Sequence, residues 1–407
     1  MTSTALAAHS RRWHPRLVVA SLVFVLACLV AVGGLLTSSH PGDVGHYQTF
    51  GARLKDGLYP YGPGFYLEYP PFAIPVFALP EFIASSHYLF VFKLSMLLCG
   101  LAGLWLAYGV ASRLYGRKGT AVAVLAVPAL APVLLGPTYL NRFDPWPAAL
   151  TALALLLFAR DRSTAGAFVL ALAFAAKTYP AAAVPVAAIW VWRRGGAREL
   201  ARAVASFAAA CLVVYAPFVP HLGGLGNSYY TQLKRHLQIE SAGASVLLVG
   251  DKLGLDTIHW FRGMSVDLRG PAAGAIGAVT SILQLAAIVA VAVVYFRSRR
   301  ADVETFLTAA AAAIVAFVAF GRVYSPQYTA WLVPLVPMLV PSIAVPAAAL
   351  VGLILVLTQV NNRWGDWGLR HVDWTVWVVS ARNLCTILLF LLLLESLRRA
   401  GRRTLTG

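Results

Sequence analysis

The chain has 407 residues, of which 59% are hydrophobic and 12% are charged, and its mean hydropathy is +0.72. Repeated apolar runs of about twenty residues exclude a water-soluble globular protein and indicate an integral membrane protein. The formal net charge of +17 does not indicate a nucleic-acid partner, because the basic residues are concentrated in alternate connections between the apolar runs.

The apolar runs predict an all-α polytopic membrane protein with about twelve transmembrane helices, formed as one domain over residues 1–407. The runs 164–176 and 181–192 are too short for a bilayer core of about 30 Å at about 1.5 Å per residue, so this hairpin is expected to cross only partway. Short interfacial helices are expected on the outward face. The predicted spans are 17–37, 88–111, 119–136, 145–159, 164–176, 181–192, 203–220, 272–296, 305–320, 327–341, 343–359 and 374–396.

The distribution of charge predicts the orientation in the membrane. The positive-inside rule assigns the basic loops and both termini to the cytoplasm. The basic residues that fall there are Arg11, Arg12, Arg16, Arg113, Arg117, Lys118, Arg160, Arg162, Arg193, Arg194, Arg198, Arg202, Arg297, Arg299, Arg300, Arg398, Arg399, Arg402 and Arg403. Most acidic residues fall on the opposite face, namely Asp43, Asp56, Glu68, Glu81, Asp144, Glu240, Asp251, Asp256, Asp267, Asp366 and Asp373. This pattern predicts a multi-pass protein of the inner (plasma) membrane, in contact with the lipid bilayer and with its active site facing outward.

The stretch 40–80 follows the first predicted span and collects acidic, aromatic, Pro and Gly residues. A plain connection between membrane helices needs few polar residues, so this composition favours a functional site over a belt of interfacial aromatic rings. Asp43 is a candidate general base, and His46 and Tyr47 are close enough in sequence to orient it. An Asp that follows Pro-Gly also suits a turn or a helix cap.

The same stretch contains Glu68, which directly precedes Tyr69-Pro70-Pro71. The two prolines open an apolar run and predict the start of a helix. Glu68 and Asp56 are competing carboxylates for the role of base. Glu68 can equally cap the helix that follows, and Asp56 lies in a Lys-Asp-Gly run that is typical of a solvated turn.

Two polar breaks between later spans contain further candidates. Arg142 can hold a phosphate by a bidentate pair, or it can form a structural ion pair with Asp144. Lys177 lies between the runs 164–176 and 181–192, and an ionisable group within a membrane segment usually faces a polar cavity. Lys177 is therefore a candidate for binding an anion, with a structural ion pair as the alternative.

A third cluster follows the run 305–320, where Arg322, Tyr324 and Gln327 supply a cation, a hydroxyl and an amide. The ionisable candidates stand at the ends of the spans, and only Lys93 looks well embedded within one. Lys93 is expected to snorkel or to pair within the bundle.

Taken together, these motifs resemble the bacterial membrane glycosyltransferases of family 87, and the resemblance covers nearly the whole chain. It implies a C-type (GT-C-like) membrane enzyme that transfers a sugar, with mannose favoured, from a polyprenyl-phosphate sugar to an envelope glycolipid or polysaccharide with inversion. The motifs that carry the resemblance are Asp43, Gly57-Leu58-Tyr59-Pro60-Tyr61, Tyr69-Pro70-Pro71, Lys177 with Pro180, and the run from Arg322 to Trp331.

The resemblance also implies roles for individual residues. Asp43 matches the early acid that acts as base on the acceptor hydroxyl, and basic side chains stabilise the departing polyprenyl phosphate. The chain ends in a basic tail after Glu395, without the large soluble C-terminal domain of more elaborate C-type enzymes, so the outward loops are expected to recognise the acceptor. The candidates for the phosphate are Lys177, Arg142 and Arg322. The expected substrate-binding residues are His46, Tyr47, Glu68, Tyr69, Arg142, Asp144, Lys177, Arg322, Tyr324 and Gln327.

Other functions remain open at the level of the sequence. An arabinofuranosyl donor is the main alternative to mannose, because both occur in the family. A transporter or flippase for a lipid-linked sugar typically has inverted repeats and ionisable groups near the membrane midplane, which this chain does not display. A non-catalytic envelope scaffold is a third alternative. No cofactor is predicted, and a divalent metal on the outward acids is left open because they lack the fixed spacing of a dedicated metal loop.

Overall fold

The structure is a computed structural model that describes residues 15–37, 43–114, 120–255, 258–262, 265–298, 300 and 302–402. Several residues used above for the orientation lie outside the described residues. They are Arg11, Arg12, Arg117, Lys118, Asp256, Arg299 and Arg403.

Helices dominate the described chain. The α-helices are α1 (Pro15–Val30), α2 (Val44–Lys55), α3 (Ile74–Ala84), α4 (Tyr88–Leu114), α5 (Thr120–Leu135), α6 (Pro137–Leu140), α7 (Pro145–Ala159), α8 (Ser163–Ala176), α9 (Val184–Tyr215), α10 (Leu222–Leu233), α11 (Ala242–Lys252), α12 (Pro271–Arg297), α13 (Val303–Ala319), α14 (Pro341–His371) and α15 (Asp373–Arg402). Short 3-10 helices cover Pro71–Ala73, Ser85–His87, Tyr179–Ala183, Ala216–His221, Pro326–Trp331 and Val333–Met338.

The apolar helices confirm that the protein is embedded in a membrane. Within the part of the chain that the structure describes, five helical segments are long and apolar enough to cross a bilayer, and shorter apolar helices accompany them. The long segments are Pro71–Ser112, Tyr179–Leu233, Pro271–Arg297, Pro341–His371 and Asp373–Gly401. The shorter ones are Pro15–Val30, Val124–Leu135, Pro145–Ala159, Ser163–Ala176 and Val303–Ala319. Twelve separate spans are not confirmed.

Two predicted spans are not continuous helices. The segment predicted to span 327–341 forms the two 3-10 helices Pro326–Trp331 and Val333–Met338, because Pro334 and Pro337 supply no amide hydrogen for an α-helical ladder. This segment is almost entirely buried, and irregular backbone is tolerated at membrane depth when it packs against protein. The first predicted span, 17–37, is helical only to Val30 and continues as turns.

Two long helical segments are interrupted at glycines. The predicted spans 181–192 and 203–220 lie mostly in α9, which consists of two helices joined at Gly196, where the backbone is not helical and φ is 66°. The backbone of α14 departs from helical geometry at Gly365, where φ is 58°, and the helix then continues through most of the predicted loop 361–373. A positive φ is strained for residues with a Cβ, so glycine is the residue that fits both positions.

The polar connections gather at two ends of the helical bundle. At the basic end, Arg193 donates to the carbonyl oxygens of Phe296 and Arg300, and Arg194 lies 2.6 Å from Asp161. At the opposite end, called the acidic end here, Asp43 pairs with Arg142. The basic and acidic connections that alternate along the sequence therefore lie at opposite ends of the bundle. The assignment of the basic end to the cytoplasm remains a prediction.

A small antiparallel sheet interrupts the all-α pattern at the acidic end. Strands β1 (Leu237–Gln238), β2 (His259–Arg262) and β3 (Val266–Arg269) are arranged in the order β1-β3-β2. Leu237 and Leu268 bury their side chains in a small core that also includes residues of α11 and α15. Ala273 of α12 and Val376 of α15 belong to the same core, which therefore holds the sheet and α11 against the beginnings of these two helices.

Candidate active site

Helix α2 places Asp43 at the acidic end. Tyr47 is fully buried and stacks on Phe77 of α3 with the ring centroids 4.5 Å apart, so the amphipathic helix lies with one face against the bundle. Asp43 occupies the N-cap position, yet its side chain does not cap the helix. Instead it forms an ion pair with Arg142, and the Tyr47 hydroxyl lies 3.5 Å from the same carboxylate.

The turn between α6 and α7 supplies the partner of Asp43. Asn141 anchors this turn by donating to the Pro137 carbonyl oxygen at 2.9 Å and to the Gly33 carbonyl oxygen at 3.4 Å. Burial lowers the pKa of Arg142, and the nearby Asp144 carboxylate opposes this shift. The guanidinium of Arg142 therefore lies within the electrostatic reach of three carboxylates, those of Asp43, Asp144 and Glu240.

Asp144 and Lys177 form a buried ion pair beside this turn. The Lys177 ammonium lies 2.6 Å from Asp144 Oδ1, and the Trp331 indole N–H donates to the same oxygen at 2.6 Å. The Asp144 side chain is 0% exposed and that of Lys177 is 11% exposed. Within the described chain, Asp144 Oδ2 is buried and has no hydrogen-bond partner. A carboxylate oxygen in this state can accept a hydrogen bond from water or from a substrate hydroxyl.

Aromatic rings enclose the Lys177 ammonium. Its nitrogen lies 4.5 Å from the centroid of the Phe143 ring, 5.2 Å from Trp331 and 5.5 Å from Tyr328. Trp331 is in turn stacked on Tyr328, with the ring centroids 4.0 Å apart. Cation–π contacts offset part of the cost of burying a positive charge, so the three rings help to hold the Lys177 ammonium in one position.

Glu68 and Tyr69 border the same cluster. The Tyr69 side chain interacts with both Tyr47 and Glu68, and burial raises the pKa of both tyrosines. They are neutral hydroxyls at physiological pH and are able to donate hydrogen bonds. Glu68 also lies within electrostatic reach of Lys177. The site thus contains the carboxylates of Asp43 and Glu68 together with the buried Asp144–Lys177 ion pair.

The structure brings together seven of the residues predicted from the sequence and separates the others. Asp43, Tyr47, Glu68, Tyr69, Arg142, Asp144 and Lys177 form the cluster described above. His46 is exposed on α2. Arg322 donates to Ser281 Oγ and to the carbonyl oxygens of Gly277 and Arg235, at 2.9 to 3.2 Å, and lies at a neighbouring cavity.

Tyr324 and Gln327 have other local partners. The Tyr324 hydroxyl lies 3.0 Å from Thr386 Oγ1, and the amide oxygen of Gln327 accepts a hydrogen bond from Ser325 at 2.9 Å. Both residues are buried. Their contacts fix the segment that follows α13 and leads to Trp331.

A buried polar network was missed in the sequence. Arg382 of α15 is 0% exposed and stacks over the Tyr324 ring, with Glu240 4.0 Å away and bonded in turn to Asn361. The expectation that only Lys93 is embedded in a span was therefore wrong. An arginine in the middle of the apolar run 374–396 was the available signal. Burial raises the pKa of Glu240, while the Arg382 guanidinium opposes the shift.

Lys93 forms hydrogen bonds within the bundle, which is one of the two roles expected from the sequence. Its ammonium donates to the carbonyl oxygens of Gly34 and Thr37 and to the Thr37 hydroxyl at 2.9 to 3.0 Å. These bonds fix the turns that follow α1 and lead toward Asp43.

Among the described residues, no group of three or more His, Cys, Asp or Glu side chains is arranged to hold a metal ion.

No protein-family model matches the chain, and a search of curated proteins found no match. The functional argument therefore rests on the chemistry and geometry of the acidic end.

Proposed function

We propose that the protein is an inverting glycosyltransferase of the C type, similar to family 87. It transfers a sugar, with mannose favoured, from a polyprenyl-phosphate donor to a hydroxyl of an envelope glycolipid or polysaccharide. The reaction takes place on the outer face of the inner membrane. One observation carries the proposal: a carboxylate, Asp43, stands beside Arg142 and the Asp144–Lys177 pair at one end of a helical membrane bundle.

Asp43 is the base in this proposal. Its carboxylate accepts the proton of the acceptor hydroxyl as the hydroxyl oxygen bonds to the anomeric carbon. The bond between that carbon and the phosphate oxygen breaks on the opposite face, and its electron pair leaves with the polyprenyl phosphate. Because attack and departure occur on opposite faces, the anomeric configuration is inverted. Arg142 and Tyr47 both contact the Asp43 carboxylate, so they hold it in one orientation.

Two cations near Asp43 are suited to the departing phosphate. An ammonium group has three donors, and Asp144 engages Lys177 at a single oxygen, so Lys177 retains capacity for a phosphate oxygen. Arg142 has five N–H donors in a fixed fork and can serve Asp43 and a phosphate together. Asp144 Oδ2, which has no hydrogen-bond partner within the described chain, can accept a hydrogen bond from a hydroxyl of the transferred sugar. These fixed charges stabilise the transition state without reorganising during the reaction.

The test is transfer by purified full-length protein in liposomes, with polyprenyl-phosphate mannose or polyprenyl-phosphate arabinose as donor and envelope lipids as acceptor. Asp43→Asn should lower turnover by roughly 10² to 10⁴-fold, since it removes the proton acceptor while keeping the size of the side chain. Asp56→Asn is the matched control, because Asp56 is exposed at the other end of the same helix.

The outcomes separate the parts of the proposal. Absence of transfer from either donor by the wild type would overturn the function. Near-normal turnover of Asp43→Asn together with an inactive Glu68→Gln would move the base to Glu68. The donor that supports transfer identifies the sugar.

A further inference from the structure

The cavity at Arg322 lies near the proposed reaction site at the acidic end. It has a volume of about 460 Å³ and lies between the sheet and the first turns of α12. Five residues with basic side chains line it, and no Asp or Glu of the described chain is among its lining residues. The basic residues are Lys234, Arg235, His236, Arg269 and Arg322.

Among the described residues, no carboxylate directly contacts the basic side chains of this cavity, and other groups hold them in place. Arg269 lies over the Phe261 ring at 3.2 Å, and the Lys234 ammonium lies 4.4 Å from the Tyr230 ring. All three nitrogen atoms of the Arg322 guanidinium donate to neutral oxygens. Neutral partners fix the direction of a cation but do not cancel its charge. The cavity therefore has an excess of positive charge that favours an anion.

Arg235 is linked to the Asp267 carboxylate through the Ser265 hydroxyl. It donates to Ser265 Oγ at 2.5 Å, and Ser265 donates to Asp267. The Nε atom of Arg235 is buried and lacks a hydrogen-bond partner within the described chain. Arg235 also acts electrostatically on Tyr328, whose ring lies 5.5 Å from the Lys177 ammonium, so the cavity and the Lys177 site are near each other.

One wall of the cavity is formed by the backbone of glycine residues, which have no side chains to fill it. Gly270, Gly274 and Gly277 lie along the beginning of α12, and a Cβ at Gly274 would meet no atom within 4 Å. The first turn of α12 contains no acidic side chain. The amide groups at the start of this 27-residue helix add to the attraction exerted by the basic side chains.

We propose that this cavity binds the phosphate group of an anionic ligand, as a phosphate monoester or diester. The volume exceeds that of a bare phosphate and falls in the usual range of small-molecule sites, about 300 to 1,000 Å³. The inference does not depend on glycosyl transfer, because it follows from the charge and shape of a cavity separate from Asp43.

Position favours a lipid as the carrier of the phosphate. The apolar helix α12 begins at the cavity, so the cavity lies near the level of the lipid headgroups. Val279 and Ile282, about two and three turns after the start of α12, are 53% and 67% exposed and are suited to contact with acyl chains. A free phosphate would satisfy the same side chains, and the experiment distinguishes the two sources.

The experiment measures ligand retention by the full-length protein in neutral detergent, using native mass spectrometry. The probes are phosphatidylglycerol, phosphatidylcholine and inorganic phosphate as competitor. The test variant is Lys234→Gln combined with Arg269→Gln, since both residues are exposed and their replacement should leave folding intact. The matched control is Arg262→Gln, an exposed arginine on β2 that does not line the cavity. Thermal unfolding midpoints check that all variants are folded.

We expect the wild type to retain phosphatidylglycerol in preference to phosphatidylcholine. The double variant should bind it at least about tenfold more weakly, because two charge-assisted contacts are lost. Arg262→Gln and Asp43→Asn should bind it normally, and the latter result would separate this site from the proposed catalytic one. Binding of inorganic phosphate alone, lost in the double variant, would support the site with a soluble ligand. Equal weakening by the double variant and by Arg262→Gln, or no binding of either phosphate probe, would overturn the proposal.

Discussion

The buried pair of Asp144 and Lys177 allows a strong test of the site through stability. Replacing Lys177 with Met leaves the Asp144 carboxylate with the Trp331 indole as its remaining hydrogen-bond donor. The Asp144 side chain is fully buried, so water cannot readily replace the ammonium. Breaking a buried pair by removing one partner typically costs about 3 to 5 kcal/mol. We expect Lys177→Met to lower the temperature midpoint of unfolding clearly. It should also weaken use of the polyprenyl-phosphate sugar as substrate.

The double variant Lys177→Met with Asp144→Asn should regain much of this loss. It removes both charges, and the amide oxygen of Asn can still accept from Trp331. Exchange of a buried pair for uncharged groups is often close to neutral in free energy. The double variant should therefore unfold at a higher temperature than either single variant, which is the non-additive behaviour of two residues in contact.

The matched control is the pair of Lys252 and Asp373. Its nitrogen and oxygen are also 2.6 Å apart, but the Asp373 side chain is 79% exposed. Loss of such a pair is expected to cost about 1 kcal/mol or less. Thermal unfolding of the purified protein in detergent measures all four variants. Equal effects of Lys177→Met and Lys252→Met, or additive losses in the double variant, would refute the assignment of a buried, coupled pair.

Three further predictions concern the surroundings of the site. Lys93→Met should destabilise the protein by about 1 to 3 kcal/mol in thermal unfolding, because it leaves carbonyl oxygens of Gly34 and Thr37 without their buried donor; an unchanged midpoint would contradict this. Gly224→Ala should lower the unfolding midpoint, since a Cβ there would lie 1.9 Å from the Tyr61 carbonyl oxygen, whereas Gly223→Ala meets no atom within 4 Å and should be tolerated. In sealed cells, an impermeant thiol reagent should label Gly226→Cys but not Ala197→Cys, and the reverse pattern would invert the orientation.

Long apolar runs were the part of the fold that could be predicted well. Spans such as 88–111 and 272–296 correspond closely to α4 and α12, because a run long enough to cross a bilayer has few alternatives to a helix. The run 327–341 is also apolar, but it does not form an α-helix. Its prolines prevent an α-helix, and hydropathy does not register missing amide hydrogens.

The site could be predicted in its residue types but not in its pairings. The sequence left a phosphate and Asp144 as alternative partners of Arg142. In the structure Arg142 forms an ion pair with Asp43, which is 99 positions earlier in the chain. Asp144 pairs instead with Lys177. Such contacts depend on how α7, α8 and the 3-10 segment at Pro326–Trp331 pack together. The sheet was missed because strands of two to four residues give no readable alternation.

The shortness of α8 has a consequence for the surrounding lipid. Its 14 residues extend about 21 Å, against a hydrocarbon core of about 30 Å. Hydrophobic mismatch of this size is relieved when the bilayer thins locally around the protein. Lys177 directly follows α8, so a thinned membrane brings headgroups and water down to its level. Reconstitution in lipids of increasing acyl-chain length would submerge this corner of the molecule, which makes bilayer thickness a physical control on access to the Asp144–Lys177 pair.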